Sequence, residues 1–345
     1  MEKKQRPPVY YSEYLQLDRI LNAQLPESSK EGLEANDEML FIIIHQAYEL
    51  WFKQILHELT IIRNIFKQPS IPNNSPDVYN SVHRLNRICR ILELAVGQLG
   101  IIETMTPLDF LDFRDLLRPA SGFQSIQFKM IEAALGLKFE KRHGQAYYLS
   151  QLSQKDVDRV KEAEAEESLM VLINRWLERM PFIKNNLYWN ETDGQKAFWQ
   201  KYRAAYESSL GDNEKSNLQT FDALLMNDES YPQDRSFSAE ANRNALFIML
   251  YRDHPLLHLP YELISMLLEV DELLSMWRHR HIHMVQRTIG KRVGTGGSSG
   301  ADYLKSAADS HYIFKEVAEL TSFLLPRHLL PALPDNLVQN LSYTG

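Results

Sequence analysis

The sequence predicts an all-helical protein. Along most of the chain apolar residues recur every three or four positions, as between Val78 and Val96, which is the period of a helix with one buried face. The alternating pattern of β-branched residues that marks a strand is nearly absent. Hydrophobic residues make up 44% of the 345 positions and charged residues 24%, which is enough for a large core. We therefore predict an all-α helical bundle that forms a single domain over residues 1–345.

Runs of Gly, Pro and polar residues divide this pattern into elements. We predict helices within 78–96, 157–180, 247–251 and 261–284, the first of them ending at Gly97 and Gly100, and breaks at 68–76, 119–122, 188–194 and 294–300. The stretch 190–234 is polar and irregular, so we expect a small helical excursion there. The acidic run 162–167 is interpreted as a solvated helix face, and Cys89 as a small core residue of a helix.

Charge and composition exclude several classes of protein. The net charge of −7 argues against a nucleic-acid or anionic-membrane binder. The longest apolar runs, 39–44 and 245–251, are too short to span a bilayer. No apolar segment follows the charged and Pro-rich residues 1–8, and a single cysteine excludes a disulfide framework or a Cys-rich metal site. We expect a cytoplasmic protein with no nucleic-acid or membrane partner.

An aromatic helix face carries the first candidate functional residue. The segment from Leu40 to Gln54 is predicted to be one helix, on which His45 shares a face with Phe41, Tyr48 and Phe52. A histidine in such a position is commonly a satisfied core residue, but an aromatic face also suits a flat ring ligand. The five residues that begin at His45 lack the second histidine of a zincin motif, so a zinc hydrolase is not supported.

A short helix is predicted to begin after Thr106. Pro107 stands at its first position and an acidic residue lies in its first turn, a typical helix start. Further along, Arg118 has Asp115 three residues before it, whereas Arg114 has no carboxylate three or four residues away. Arginines usually form surface ion pairs, but the planar guanidinium of Arg114 could instead bind a ligand carboxylate.

Three histidines alternate within the basic segment 277–292. His279 and His283 share one helix face, as a metal-binding pair would, while His281 lies nearly opposite, beside Trp277. The spacing leaves three possibilities open: His281 as a haem ligand with apolar neighbours, the other two as a divalent-metal pair, or solvated basic histidines. The whole cluster forms either a basic helix face or a site for acidic groups such as porphyrin propionates; its members are Arg278, His279, Arg280, His281, His283, Arg287, Lys291 and Arg292. No Cys-x-x-Cys-His motif is present, so any haem would be held non-covalently.

A glycine-rich loop follows the basic segment. The glycine spacing of residues 294–300 is not that of a dinucleotide-binding fingerprint, and no strand precedes it. Such a loop is either a flexible linker or a place where backbone amides and the Thr295 hydroxyl approach a ligand closely.

Taken together, these segments resemble the tryptophan 2,3-dioxygenase family. The matching blocks are 11–18, 41–56, 103–128 and 277–300, which lie in order along nearly the whole chain; the first eight residues and 190–234 match weakly. The resemblance implies a helical-bundle haem protein of the tryptophan/indoleamine dioxygenase type. It would insert O₂, the co-substrate, across the indole C2–C3 bond of L-tryptophan and give N-formyl-L-kynurenine. It also implies one haem b per subunit and a homotetramer.

The resemblance also assigns roles to individual residues. The family's iron-binding histidine precedes the threonine of the glycine loop by fourteen residues, which is His281 before Thr295 in this chain. His45 would accept a hydrogen bond from the indole N–H, Arg114 would bind the substrate carboxylate, and Thr295 would contact the ammonium and carboxylate groups. The full set of implied substrate-binding residues is Phe41, Ile42, Ile43, Ile44, His45, Phe110, Arg114 and Thr295, with Tyr11, Tyr14 and Leu15 contributed by the N-terminal segment (about 1–20) of a neighbouring subunit.

Three other functions compete with this interpretation. A relative on the same scaffold could oxidise a modified tryptophan, such as a methylated one. A non-catalytic helical protein could bind or sense haem without ring cleavage. A nucleic-acid binder could use the basic cluster, but the net charge of −7 disfavours it.

Overall fold

The described part of the chain is built from helices. The computed structural model describes residues 7–71, 75–137, 152–180, 189, 194–229, 231–290, 292 and 311–342, and no strand occurs within these ranges. The prediction of an all-α fold is thus confirmed. The α-helices in these ranges are α1 (Tyr11–Leu15), α2 (Leu17–Leu21), α3 (Glu27–Lys30), α4 (Asp37–Phe66), α5 (Pro76–Ile102), α6 (Pro107–Arg114), α7 (Ile126–Leu135), α8 (Gln154–Ala165), α9 (Leu169–Glu178), α10 (Gly194–Ser209), α11 (Asn217–Phe221), α12 (Ala239–Leu250), α13 (Pro255–Ile289), α14 (Lys315–Glu319) and α15 (Asp335–Leu341).

Three long helices form the centre of the fold. α13 packs along α5, α5 packs against α4, and α4 also packs against α7. Ile55 and Ile62 of α4 and Leu85 of α5 are completely buried between these helices. Cys89 is also fully buried, and its thiol lies 3.9 Å from the carbonyl oxygen of Met266 in α13. The prediction that Cys89 is a helical core residue is confirmed.

α5 extends beyond the two glycines at which the sequence pattern predicted its end. It continues through Gly97 and Gly100 to Ile102, because Leu99 and Ile102 remain buried, at 1% and 5% exposure. Burial of two large apolar side chains outweighs the roughly 1 kcal/mol by which a glycine disfavours a helix. An added Cβ at Gly100 would lie 3.4 Å from the guanidinium of Arg280 in α13, so this position is one of close approach between the helices.

The predicted helix over 157–180 is interrupted. α8 ends at Ala165 and α9 begins at Leu169, with the Ser168 hydroxyl accepting a hydrogen bond from the Val171 amide at 3.4 Å. Arg63 of α4 reaches into the break, where it donates to the Glu167 carbonyl oxygen at 2.9 Å and to the Glu166 carboxylate at 2.6 Å. The acidic run is therefore partly engaged in tertiary contacts, and interpreting it as a solvated face was incomplete.

The described part of the stretch 190–234 is not the polar, irregular excursion that the sequence pattern suggested. Within its described part, α10 spans 16 residues, and its aromatic side chains join the main core together with Phe221 of α11. The Tyr202 hydroxyl donates a hydrogen bond to the Phe323 carbonyl oxygen at 2.6 Å. The buried rings are Phe198, Trp199, Tyr202, Tyr206 and Phe221.

Within the described ranges, no helix combines the length and hydropathy needed to cross a lipid bilayer.

Candidate functional site

The candidate site lies where α4 meets α6. Phe41 and His45 are one turn apart on α4, and their ring centroids lie 4.1 Å apart at a tilt of 36°. Phe110 and Phe113 of α6 approach Phe41 with centroid distances of 5.7 and 5.6 Å, and they contact each other edge to face at 5.4 Å. The structure thus joins His45, through Phe41, to a cluster of aromatic rings from two helices, an environment suited to a planar apolar ligand.

Local capping fixes the start of α6. The Thr106 hydroxyl accepts a hydrogen bond from the Asp109 amide at 3.3 Å, and the Asp109 carboxylate accepts one from the Thr106 amide at 2.8 Å. With Pro107 at the first helical position, this is a complete capping box. The predicted helix start is confirmed, and it determines where Phe110 and Arg114 lie.

Arg114 is buried at the end of α6. Its side chain is 6% exposed, and its Nη1 atom lies 4.0 Å from the carboxylate of neighbouring Asp115. Arg118, by contrast, is 55% exposed and lies 3.2 Å from Asp115, so the predicted surface ion pair is formed. A buried guanidinium next to an aromatic site can bind a carboxylate strongly, because little water competes for the hydrogen bonds.

The protonation of His45 follows from its surroundings. Its Nδ1 atom lies 2.7 Å from the carbonyl oxygen of Phe41, and since a carbonyl only accepts, Nδ1 carries the hydrogen. Burial lowers the pKa of His45 below its ordinary 6.5, although the Phe41 carbonyl and Glu49 act in the opposite direction. At neutral pH the ring is therefore neutral, and Nε2 has a lone pair that can accept an N–H hydrogen bond.

His281 of α13 lies near enough to His45 for the two imidazoles to interact electrostatically. Burial lowers the pKa of His281 to about 4, and the His45 imidazole acts in the same direction. Its ring stacks on Trp277, one turn earlier, with centroids 5.1 Å apart and planes inclined by 8°. A neutral imidazole that stacks on an aromatic ring has the chemistry of a haem iron ligand. The residues present fit that cofactor.

The basic cluster is distributed around α13 and is not one charged face. Arg278 is buried and pairs with Glu132 of α7 at 2.7 Å, while Arg280 pairs with Glu103 at 3.3 Å. His279 is exposed, and its Nδ1 lies 2.8 Å from the Ser275 carbonyl oxygen. Among the described residues, no group of three or more His, Cys, Asp or Glu side chains could hold a metal ion. This result gives no support to a divalent-metal site at His279 and His283.

The other predicted site residues differ in their exposure. Ile44 is buried in the core at 4% exposure, Ile42 is partly buried, and Ile43 is 48% exposed. On α1, Tyr11 and Tyr14 are 75% and 74% exposed, and Leu15 is partly buried. The predicted residue Thr295, with the whole glycine loop 294–300 and Lys291, lies outside the described residues.

Sequence reasoning gave no role to several rings that shape the site. Phe113 packs against both Phe41 and Phe110, and Trp277 contacts Phe128 and Tyr48 in addition to His281. Phe113 could have been found because it lies three residues after Phe110 on one helix face. The contacts of Trp277 with α4 and α7 are tertiary and leave no local pattern.

Comparison with known proteins gave consistent matches. The family model described as tryptophan 2,3-dioxygenase matches residues 2–324. The tryptophan 2,3-dioxygenase of Alteromonas mediterranea is 41% identical over 99% of this chain and 99% of its own length. Those of Bdellovibrio bacteriovorus and Dictyostelium discoideum are 40% and 41% identical, covering 98% and 97% of this chain and 99% and 88% of their own lengths.

Proposed function

Because the chain belongs to the tryptophan 2,3-dioxygenase family, we propose that it is the oxidoreductase that converts L-tryptophan and O₂ to N-formyl-L-kynurenine. Both oxygen atoms enter the product, one at C2 and one at C3, and the bond between these carbons is broken. The observation that carries the proposal is the electrostatic interaction of two buried imidazoles with lowered pKa values, that of His281 and that of His45, which lies against Phe41. A substrate ring between them would lie beside the cofactor.

The cofactor in this proposal is haem b, one per subunit. Haem supplies the O₂ activation that amino-acid side chains cannot provide. His281 would hold its iron, since the imidazole is neutral at physiological pH. The indole ring of Trp277, parallel to that imidazole, would help to cover the cofactor on this side.

The substrate would be held at both of its ends. Phe41 and Phe110 would pack against the indole, and the Nε2 atom of His45 would accept its N–H. The buried Arg114 guanidinium would bind the carboxylate in a bidentate manner. Thr295, which lies outside the described residues, would contact the ammonium and carboxylate groups. Fixing both ends sets the C2–C3 bond in one place relative to the cofactor, which lowers the entropic cost of reaction.

The N-terminal segment would complete the site of a neighbouring subunit. Tyr11 and Tyr14 of α1 are about three-quarters exposed, and such tyrosines commonly become buried on association. We propose that these residues, with Leu15, close the pocket of a partner within a homotetramer. A cytoplasmic location is also proposed, and the free, buried thiol of Cys89 is compatible with a reducing compartment.

A direct experiment combines haem loading with product analysis. The protein is purified with haem supplied, reduced anaerobically, and mixed with L-tryptophan and O₂; N-formyl-L-kynurenine should appear. His281→Ala should abolish stable haem binding, whereas His283→Ala, two positions along the same helix and exposed, should keep it.

Each competing function predicts a different result in this experiment. A haem spectrum without ring cleavage would indicate a non-catalytic haem protein. Turnover of β-methyltryptophan but not of L-tryptophan would indicate a relative with another substrate. Normal haem content in His281→Ala would refute the ligand assignment.

A further inference from the structure

A second residue of α13 bears directly on the proposed iron ligand. Trp277 and His281 are four residues apart, so their side chains lie on the same helix face. Their rings are nearly parallel, with an interplanar angle of 8° and a centroid distance of 5.1 Å. Rotation of the imidazole about its Cβ–Cγ bond would break this stack or drive a ring edge into the indole. The preferred plane of the imidazole is therefore that of Trp277.

Trp277 is itself held by rings from two other helices. Its ring centroid lies 5.0 Å from that of Phe128 in α7 and 6.1 Å from that of Tyr48 in α4, the latter edge to face at 80°. Tyr48 is fixed in turn, because its hydroxyl donates to the Ala95 carbonyl oxygen of α5 at 2.9 Å. Side chains from two other helices, one of them hydrogen-bonded to the backbone of α5, thus determine the plane of the indole.

The backbone between the two rings is also anchored. Arg278, the residue after Trp277, donates to the Glu132 carboxylate at 2.7 Å and to the His311 carbonyl oxygen at 2.9 Å. Its guanidinium lies 5.9 Å from the centroid of the Phe128 ring. This buried contact ties α13 to α7 and to the segment that begins at His311, so the Cα positions of Trp277 and His281 are fixed relative to the surrounding rings.

Within the part of the chain that the structure describes, His281 lacks the hydrogen bond that usually orients a metal-binding histidine. Such histidines commonly donate their second ring N–H to a carboxylate, a carbonyl oxygen or water, which sets the ring plane and the basicity of the ligand. Among the described residues, none forms a hydrogen bond with either nitrogen of His281 within the usual distance limits. Of its contacts with the described residues, the stack on Trp277 is the one that can orient the ring.

We infer that Trp277 is the positioning residue of the iron ligand: its indole sets the plane of the His281 imidazole and thereby its orientation relative to the haem. The inference rests on the proposed function in taking His281 as that ligand. The angle of an axial imidazole determines how its π orbitals overlap those of the iron. The residue that sets this angle therefore tunes the cofactor without touching the substrate.

The test compares variants of the haem-loaded protein by spectroscopy. Trp277→Leu and Trp277→Met remove the parallel ring but keep apolar volume, and Trp277→Phe keeps a ring. The matched control is Phe52→Leu, because Phe52 is buried in the same cluster, where it packs on Tyr48 and Phe128. The measurements are the iron–histidine stretching band of the ferrous protein by resonance Raman, the g-values of the ferric protein, and the rate of haem transfer to apomyoglobin.

The Leu and Met variants should show a shifted and broadened iron–histidine band and a changed g-value spread. Their haem should dissociate about 10- to 100-fold faster. Trp277→Phe and Phe52→Leu should keep a narrow band near the position of the unmodified protein. A purely structural role predicts instead that Phe52→Leu and Trp277→Leu change the spectra alike, which would overturn the inference.

An unchanged band in either Trp277→Leu or Trp277→Met would overturn it as well, so one folded variant of the two is sufficient. An unmodified protein without any iron–histidine band would contradict the ligand assignment to His281. That result rejects the proposed function itself and is recognised before any variant is compared.

Discussion

The Nδ1 atom of His45 lies 2.7 Å from the carbonyl oxygen of Phe41, one turn earlier in α4. This hydrogen bond places the ring hydrogen on Nδ1 and leaves Nε2 as an acceptor that points away from the helix backbone. Binding of an indole N–H therefore depends on the neutral form of His45, and protonation would replace the acceptor with a donor.

Substrate affinity should consequently fall in acid. Burial lowers the pKa of His45 below 6.5, so the affinity for L-tryptophan should stay constant from about pH 8 down to about pH 6.5 and decrease below that range. Neither the carboxylate nor the ammonium group of tryptophan titrates there. Optical titration of the haem-loaded protein at each pH measures the effect. In His45→Asn, which keeps a non-titrating acceptor, the acid decrease should vanish; the same pH profile in both proteins would assign it to another group.

Arg114 should govern recognition of the carboxylate. Arg114→Ala should raise the Kd for L-tryptophan at least about 30-fold, corresponding to about 2 kcal/mol, because a buried charged hydrogen-bond partner is lost. The Kd for tryptamine, which has no carboxylate, should change little. Haem content, measured by absorbance, should remain at the unmodified level.

Arg118 provides the matched control. It is the same residue type four positions later, but its side chain is 55% exposed and it pairs with Asp115. Arg118→Ala should leave the Kd for L-tryptophan within about twofold, since exposed ion pairs contribute little. Equal losses of tryptophan and tryptamine affinity in Arg114→Ala would mean that Arg114 only supports the fold of the site.

Local sequence patterns correctly predicted how α4 and α6 contribute to this site. The capping residues Thr106 and Pro107 predicted where α6 begins, and helical spacing placed Phe41 beside His45. Both predictions depend on residues within one or two turns of each other, where spacing and hydrogen-bonding chemistry determine the outcome. The family resemblance predicted Phe110 as a site residue, which the structure places 5.7 Å from Phe41.

Tertiary contacts account for what local patterns could not predict. Spacing could not distinguish His281 from its neighbours, because the feature that distinguishes it is a tertiary one, its interaction with His45 from a distant part of the chain. The break between α8 and α9 likewise involves Arg63, which lies 104 residues before its partner Glu167. Loop closure and core packing decide such contacts, and no local periodicity records them.

The Glu58 carboxylate should stabilise the contact between α4 and α5. Its side chain is 1% exposed and accepts hydrogen bonds from Arg84 and Arg87, both at 2.6 Å, and from Gln54 at 2.7 Å. Burial alone would raise the pKa of Glu58, but these donors outweigh it and lower the pKa. A carboxyl group with a lowered folded pKa stabilises the protein above its unfolded pKa, and this contribution is lost as the pH falls through the folded value.

Glu58→Gln should therefore lower the free energy of unfolding at pH 7 by about 1–3 kcal/mol, the cost of weakening buried charged hydrogen bonds. The difference from the unmodified protein should be smaller at an acidic pH below the lowered pKa of Glu58, where Glu58 itself is protonated. Urea unfolding at both pH values measures it. Glu93→Gln removes an ion pair between Glu93, which is 41% exposed, and Arg90, which is 60% exposed. This substitution should lower the free energy of unfolding by less than about 1 kcal/mol. Equal costs for the two substitutions would show that burial of Glu58 adds nothing.

Replacing each of two glycines with alanine should change the free energy of unfolding in opposite directions. Gly136 ends α7 with φ +137°, and an added Cβ would lie 2.8 Å from the Cβ of Met170 in α9. The left-handed backbone and the steric overlap both oppose a side chain, so Gly136→Ala should lower the free energy of unfolding by about 1–3 kcal/mol. Gly97 lies inside α5, where an added Cβ meets no atom within 4 Å, and Gly97→Ala should raise the free energy of unfolding by about 0.5–1 kcal/mol. Urea unfolding of both variants tests the pair. A destabilised Gly97→Ala would show that a partner covers this face of α5, whereas an unchanged Gly136→Ala would show that α7 and α9 can move apart at no cost.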